Sequence, residues 1–230
     1  MTDEAEVQQI AQQAMELTRA SLRPGQTLAD VRASCEARLL DLGADAFWYW
    51  GIGAFVFAGT GTIASVSGRD YRTPDHVLRE DELVTLDLSP QRGDVWGDFA
   101  RTLVIEGGVP LEDPAATSNE EWRSGILAER QLHAELREVA VPDMTFEELA
   151  RRMNERVVAL DYENLDFLGN LGHSIAWASG DRVYIEPGNR ARLDSVGSFT
   201  FEPHIRRPGG SYGYKHEDIY RFVDGRLSPL

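Results

Sequence analysis

The chain has 230 residues, 42% of them hydrophobic and 27% charged, proportions that suit a soluble globular protein with a core of its own. Its net charge of −15, from 38 acidic and 23 basic residues, excludes general nucleic-acid binding, which needs basic surface to displace counterions. The single cysteine, Cys35, excludes an internal disulfide and falls in a helical pattern as a small core residue. The N-terminal MTDEAEVQQIAQQAMEL is acidic and polar, without the apolar stretch of a secretion signal. No run approaches the roughly 18 apolar residues of a membrane span. A cytoplasmic protein that does not enter membranes is expected.

In chain order, residues 4–22 carry apolar positions at Val7, Ile10, Ala11, Ala14, Met15 and Leu17, close to helical spacing. A second helix is expected within residues 24–43, where Thr27 and Asp30 have capping-box form ahead of Leu28, Val31, Cys35, Leu39 and Leu42. A β-rich segment follows, FWYWGIGAFVFAGTGTIASVSG, then ELVTLDLSP and VWGDFARTLVIEGG about a turn at Arg92-Gly93-Asp94. Residues 118–140 predict a helix burying Trp122, Ile126, Leu127, Leu132, Leu136 and Val139. Residues 142–161 can be laid over 24–43 without a gap, pairing Pro24 with Pro142, Thr27 with Thr145, Asp30 with Glu148 and Arg38 with Arg156. Strands are expected between Val183 and Leu227, broken at Pro187-Gly188, Pro203 and Pro208-Gly209-Gly210. Helix, helix and sheet thus occur twice, predicting one α+β domain over 1–230 with pseudo-symmetric halves of about 1–115 and 116–230. The ligand site is expected between them.

Five residues carry the chemistry. Asp87 sits in the apolar strand VTLDLSP, sharing a face with Thr85 and Ser89, and Asp98 lies across a short turn from it. Either aspartate alone could simply bond local backbone. His173 lies in LGNLGHSIAW, where a lone histidine is more often a core residue than a ligand. Glu202 in SFTFEPH and Glu217 in YKHEDIYRFV fall within strand-like runs, where a buried carboxylate needs a partner. Four carboxylates and one imidazole suit one or two divalent ions such as Mn, Fe, Co or Zn.

The order and context of these residues resemble the pitta-bread metallopeptidases, the family of methionine aminopeptidase, prolidase, X-Pro aminopeptidase and creatinase. DELVTLDLSPQRGDVWGDFARTLVIEG is similar to the family's paired-aspartate hairpin, with Arg101-Thr102 as in X-Pro enzymes. LGHSI resembles its glycine-histidine motif, FTFEP its glutamate-proline motif and GYKHEDIY its last strand, so the likeness covers nearly the whole chain. The resemblance implies a pitta-bread fold of helices packed on antiparallel sheet, and two divalent metal ions. Asp87 would chelate one ion, His173 and Glu202 the other, and Asp98 and Glu217 would bridge them. A water shared by the ions would be the nucleophile, with Glu202 moving its proton.

The family's substrate histidines have no match. The first falls at Asp70, beside Tyr71, which the resemblance makes a catalytic and substrate-binding position. An ionised Asp70 can only accept hydrogen bonds and would attract a cation. The second falls at Gly180 or Ile185, and Lys215 stands where X-Pro enzymes tend to have arginine. His76, His204 and His216 are nearby histidines, the last expected to face away from Glu217. Trp96, Trp177 and Lys215 are further substrate-pocket candidates, whereas Phe47, Trp48, Tyr49, Trp50 and Phe55 are expected in core or dimer contacts. The expected activity is hydrolysis of short peptides, as in X-Pro enzymes without the N-terminal domain, by a homodimer. A small-molecule C–N hydrolase or lyase resembling creatinase is the alternative.

Overall fold

The computed structural model describes residues 3–176 and 179–230. Helix α1 (Asp3–Ser21) buries Val7, Ile10, Ala11, Ala14 and Met15 along one stripe, and α2 (Leu28–Asp41) buries Leu28, Val31, Cys35 and Leu39. Ahead of α2, the Thr27 hydroxyl accepts from the Asp30 amide while the Asp30 carboxylate accepts from the Thr27 amide. Two amides without intrahelical partners are thereby satisfied. The same box closes between Thr145 and Glu148 ahead of α4 (Phe146–Ala159), which follows α3 (Glu120–Val139). Leu127 on α3 is exposed rather than buried, because five residues on from Trp122 a side chain has turned about 140° round the helix. Among the described residues no helix is long and apolar enough to cross a membrane.

The first-half strands are β1 (Ala46–Phe47), β2 (Ala54–Ala58), β3 (Glu82–Leu88), β4 (Pro90–Arg92), β5 (Val95–Trp96), β6 (Phe99–Glu106) and β7 (Val109–Pro110). Antiparallel pairing orders them as β2-β3-β6-β7, with a small side sheet β1-β4-β5. The aromatic β-rich segment leaves the main sheet after Ala58, where Gly59 takes φ +55° and opens a 3₁₀ turn to Ile63. In the second half β8 (Glu163–Asn164), β9 (Phe199–Phe201), β10 (His204–Arg206), β11 (Tyr214–Lys215), β12 (Asp218–Val223) and β13 (Arg226–Pro229) form the sheets β8-β10-β11 and β9-β12-β13. One core packs α1 and α2 on β2, β3 and β6; a second packs α3 and α4 on the later strands and reaches Leu83 and Val104 of the first sheet.

The halves are joined where β6 meets the chain between β11 and β12. Glu217 N–H donates to the Ala100 carbonyl at 2.9 Å and Ala100 N–H to the Glu217 carbonyl at 3.4 Å. Thr102 Oγ1 accepts from Lys215 N–H at 2.8 Å, and the Arg101 guanidinium donates to the Glu217 carbonyl at 2.6 Å and the Asp218 carboxylate at 2.7 Å. Helix α3 presses on this seam through Gly125, where a Cβ would lie 2.2 Å from the Tyr214 ring. Gly125→Ala is therefore expected to lower stability by about 1–3 kcal/mol through overpacking. Urea denaturation measures it, and an unchanged midpoint would mean that Tyr214 yields without cost.

Candidate metal centre

Asp87 stands directly opposite Ala100 in the β3–β6 ladder, and Ala100 stands opposite Glu217 across the seam. Opposed residues in antiparallel pairs share a face, so Asp87 and Glu217 flank a methyl group small enough to leave room between them. Asp98, two residues before Ala100, points the same way. One oxygen from each of Asp87, Asp98 and Glu217 lies within 4.8 Å of the others. Gln8 of α1 clamps the Asp98 backbone, its amide donating to the Asp98 carbonyl at 2.8 Å and its carbonyl accepting from Asp98 N–H at 3.0 Å.

His173 enters from the other half. Gly172 before it has φ +141°, and a Cβ there would meet the Thr200 carbonyl oxygen at 2.3 Å. Only glycine lets the backbone run this close to β9. The His173 Nδ1 donates to the Ser174 carbonyl at 3.0 Å, which leaves the lone pair on Nε2, 3.5 Å from Asp98 and 3.7 Å from Glu202. Burial, reinforced by Arg182, pushes its pKa down to about 3, so the ring is neutral. Glu202 receives a long hydrogen bond from Thr200 Oγ1 at 3.4 Å, and its amide is fixed to the Leu171 carbonyl at 2.9 Å.

These carboxylates repel one another in a buried place. Burial first, and then their mutual charge, raises the pKa of Asp98 and Glu217 well above the usual carboxylate range; burial also raises that of Glu202. Lys215 answers part of the charge. Its ammonium bonds Asp87 and lies 3.4 Å from Glu202. Burial alone would lower the ammonium pKa, but Asp87, Glu202 and Glu217 outweigh it and hold it high. Even so, both Glu217 carboxylate oxygens are buried without a hydrogen-bond partner. An oxygen-rich shell with one imidazole nitrogen and orphaned carboxylate oxygens fits a divalent ion.

A cavity of about 150 Å³ opens over the shell, walled by Trp48, Tyr49, Phe55, Phe57, Arg182, Tyr184 and His204 among others. Asp70 is not on its wall. The turn closed by the Asp70 and Tyr71 amides on the Ser67 carbonyl leaves Asp70 on the surface beside Arg69, which corrects its expected place in the site. Tyr71 is buried behind the wall, against Phe55, with its hydroxyl accepting from Val56 N–H at 3.0 Å. Trp96 is likewise behind, stacked on Trp48 at 4.6 Å, so Trp48 lines the cavity and Trp96 backs it. Trp48, Tyr49 and Phe55, expected in core or dimer contacts, are wall residues. Trp177 lies outside the described residues.

Of the two positions considered for a second histidine, Gly180 is in a 3₁₀ turn and Ile185 is in the core. The side chains that reach the cavity from this segment are Arg182 and Tyr184. The Arg182 guanidinium lies 5.3 Å from the Trp48 ring, 5.4 Å from Tyr49 and 5.3 Å from Tyr184. Nothing in its sequence neighbourhood marks it, because its partners come from 48–49 and 184. His76 pairs with Glu82 and His216 with Asp218, away from the shell, whereas His204 stands on the wall and donates from Nε2 to the Thr62 carbonyl at 2.7 Å.

Carboxylates and an imidazole thus converge at the seam of the two halves as a candidate metal centre. The profile of metallopeptidase family M24 matches residues 5–223, and the chain belongs to that family. No curated protein matches the sequence. The fold is the pitta-bread fold of solved prolidases and X-Pro aminopeptidases. It matches the prolidase from Thermococcus sibiricus with TM-score 0.81 and 18% identity over 98% of this chain and 57% of that one. The X-Pro aminopeptidase from Thermotoga maritima matches with TM-score 0.79 and 17% identity over 99% and 61% of the two chains. The prolidase from Pyrococcus furiosus matches with TM-score 0.80 and 21% identity over 100% and 64%. The chain thus spans less than two thirds of the length of each.

Burial pushes the His204 pKa down to about 4, below the roughly 6.5 of an unfolded histidine. The unfolded chain therefore binds more protons between these values, and stability present above pH 6.5 is lost as pH falls toward 4. His204→Gln should flatten this acid dependence relative to wild type in urea titrations at pH 7 and 4.5. Parallel losses in both proteins would count against a buried neutral His204.

Proposed function

We propose that the chain is a hydrolase of short peptides that works with two divalent ions, Mn, Fe, Co or Zn, held by Asp87, Asp98, His173, Glu202 and Glu217. The observation that carries this reading is the buried Glu217 carboxylate, unpartnered in the middle of the other ligand types. Bound there, such ions supply a water of lowered pKa and polarisation of the scissile carbonyl. The chain's own part is positional. Asp98 and Glu217 bring carboxylates beside Asp87, His173 presents a neutral nitrogen, and Glu202 would take the proton of the attacking water.

Arg182 supports a substrate with a carboxylate close to the scissile bond, as a dipeptide has. Three aromatic rings orient its guanidinium over the cavity, and guanidinium matches a carboxylate in geometry and charge. Phe167, Leu168 and Val66, all exposed at the rim, give apolar contact for a side chain or a proline ring. The X-Pro peptidases among the structural matches support proline in the second position.

Metal analysis combined with a panel of X-Pro dipeptides tests the proposal. Wild type should hold divalent metal and turn over at least one dipeptide; Asp98→Asn and Glu217→Gln should lose both. Arg182→Gln should cut kcat/KM for dipeptides by about 10–100-fold, the loss of a charged hydrogen bond, and affect C-terminal amides little. Metal binding without turnover of any dipeptide would move the substrate to the small-molecule C–N class. Absence of bound metal would sink the reading.

A further inference from the structure

A second cavity, of about 270 Å³, lies on the helix side of the sheet between α1 and α3, with Met15, Phe99, Leu103 and Ile126 in its wall. Glu129 of α3 also faces it, almost wholly buried, and neither carboxylate oxygen has a hydrogen-bond partner. The arginines around this cavity are engaged: Arg19 with Glu16, Arg101 with Asp218 at 2.7 Å, and Arg130 with Asp113 at 2.5 Å. Burial raises the Glu129 pKa, and the charge that opposes this is that of Lys215. Lys215 lines both this cavity and the one above the ligand shell.

Lys215 and a divalent ion want the same oxygens, those of Asp87 and Glu202. An ammonium left beside incoming ions would be repelled at low dielectric. The Lys215 backbone is tied to Thr102, but its side chain has four rotatable bonds and can move its head with the stem in place. Among the described residues, Glu129 is the unpartnered buried carboxylate outside the shell on which that ammonium acts.

We propose that Glu129, giving up its proton to solvent, becomes the counter-charge that receives the Lys215 ammonium when divalent ions take Asp87 and Glu202, which makes it a positioning residue for metal loading. This rests on the metal centre proposed above. Mn²⁺ affinity, read by competition with a fluorescent chelator, should fall about 10-fold or more in Glu129→Gln, the scale of one charged hydrogen bond. In a Lys215→Met background the same substitution should change affinity less than about 2-fold, because no ammonium remains to be received. Crystals of the Mn²⁺-loaded protein should place Lys215 Nζ at salt-bridge distance from Glu129.

Unchanged affinity in Glu129→Gln, or an equal loss with and without Lys215, would overturn the proposal while the metal centre stands. A lowered urea midpoint of metal-free Glu129→Gln would assign Glu129 a structural role and overturn it too. Wild type that binds no Mn²⁺ would remove both the proposal and the metal centre.

Discussion

The two backbone hydrogen bonds between Ala100 and Glu217 decide where everything else in the site can be. They set the register between the two sheets, and through the β3–β6 ladder they place Asp87, Ala100 and Glu217 side by side on one face. A slip of one residue would turn Glu217 to the helix side and bring Asp218 into the cup. The chain guards that register heavily. Arg101 bonds the Glu217 carbonyl and the Asp218 side chain, Thr102 bonds both backbone groups of Lys215, and Gly125 lets α3 lie on the Tyr214 ring.

The same seam separates two opposite electrostatic environments within two residues. Glu217 points into the shell, finds no donor, and burial with Asp98 raises its pKa. Asp218 points the other way. Burial works against its carboxylate as well, but the His216 and Arg101 hydrogen bonds win and hold its pKa below the usual range. Both acids are buried; what differs is the supply of donors. An acid without a donor thus sits next to one that the protein satisfies by itself, and the strand's alternation keeps them apart.

What could be read in the sequence follows the reach of each signal. The capping boxes of Thr27 and Thr145 are four-residue patterns with a local geometry, and they form as expected. The residues of the candidate shell are legible because Asp87 and Asp98 lie in one hairpin and because isolated polar residues stand out in apolar runs. The cavity wall was hidden for the converse reason. Trp48 and Trp96 are stacked partners, and which of them faces the cavity depends on how β1 lies across β4, a long-range fact. Asp70 precedes Asp87 through an irregular segment, where residue counting does not track position in space. Arg182 is held by rings from sequence-distant residues and had no local mark at all.

Two cations meet the acidic shell, and they are held in ways that suit different duties. Lys215 is inside, bound by carboxylates that a metal ion would bind better, on a flexible stem with a second cavity behind it. Its attachment is strong only while the shell lacks a stronger cation. Arg182 is at the mouth, close to aromatic faces whose attraction does not depend on the state of the shell. Filling the shell therefore removes the reason for Lys215 to stay, while the ring contacts of Arg182 remain. On the proposed reading, metal loading and substrate selection are thus assigned to separate positive charges. A guanidinium inside could not give way so simply, because its planar fork would hold two oxygens at once. The lysine at position 215 is the more fitting occupant of a place that has to be surrendered.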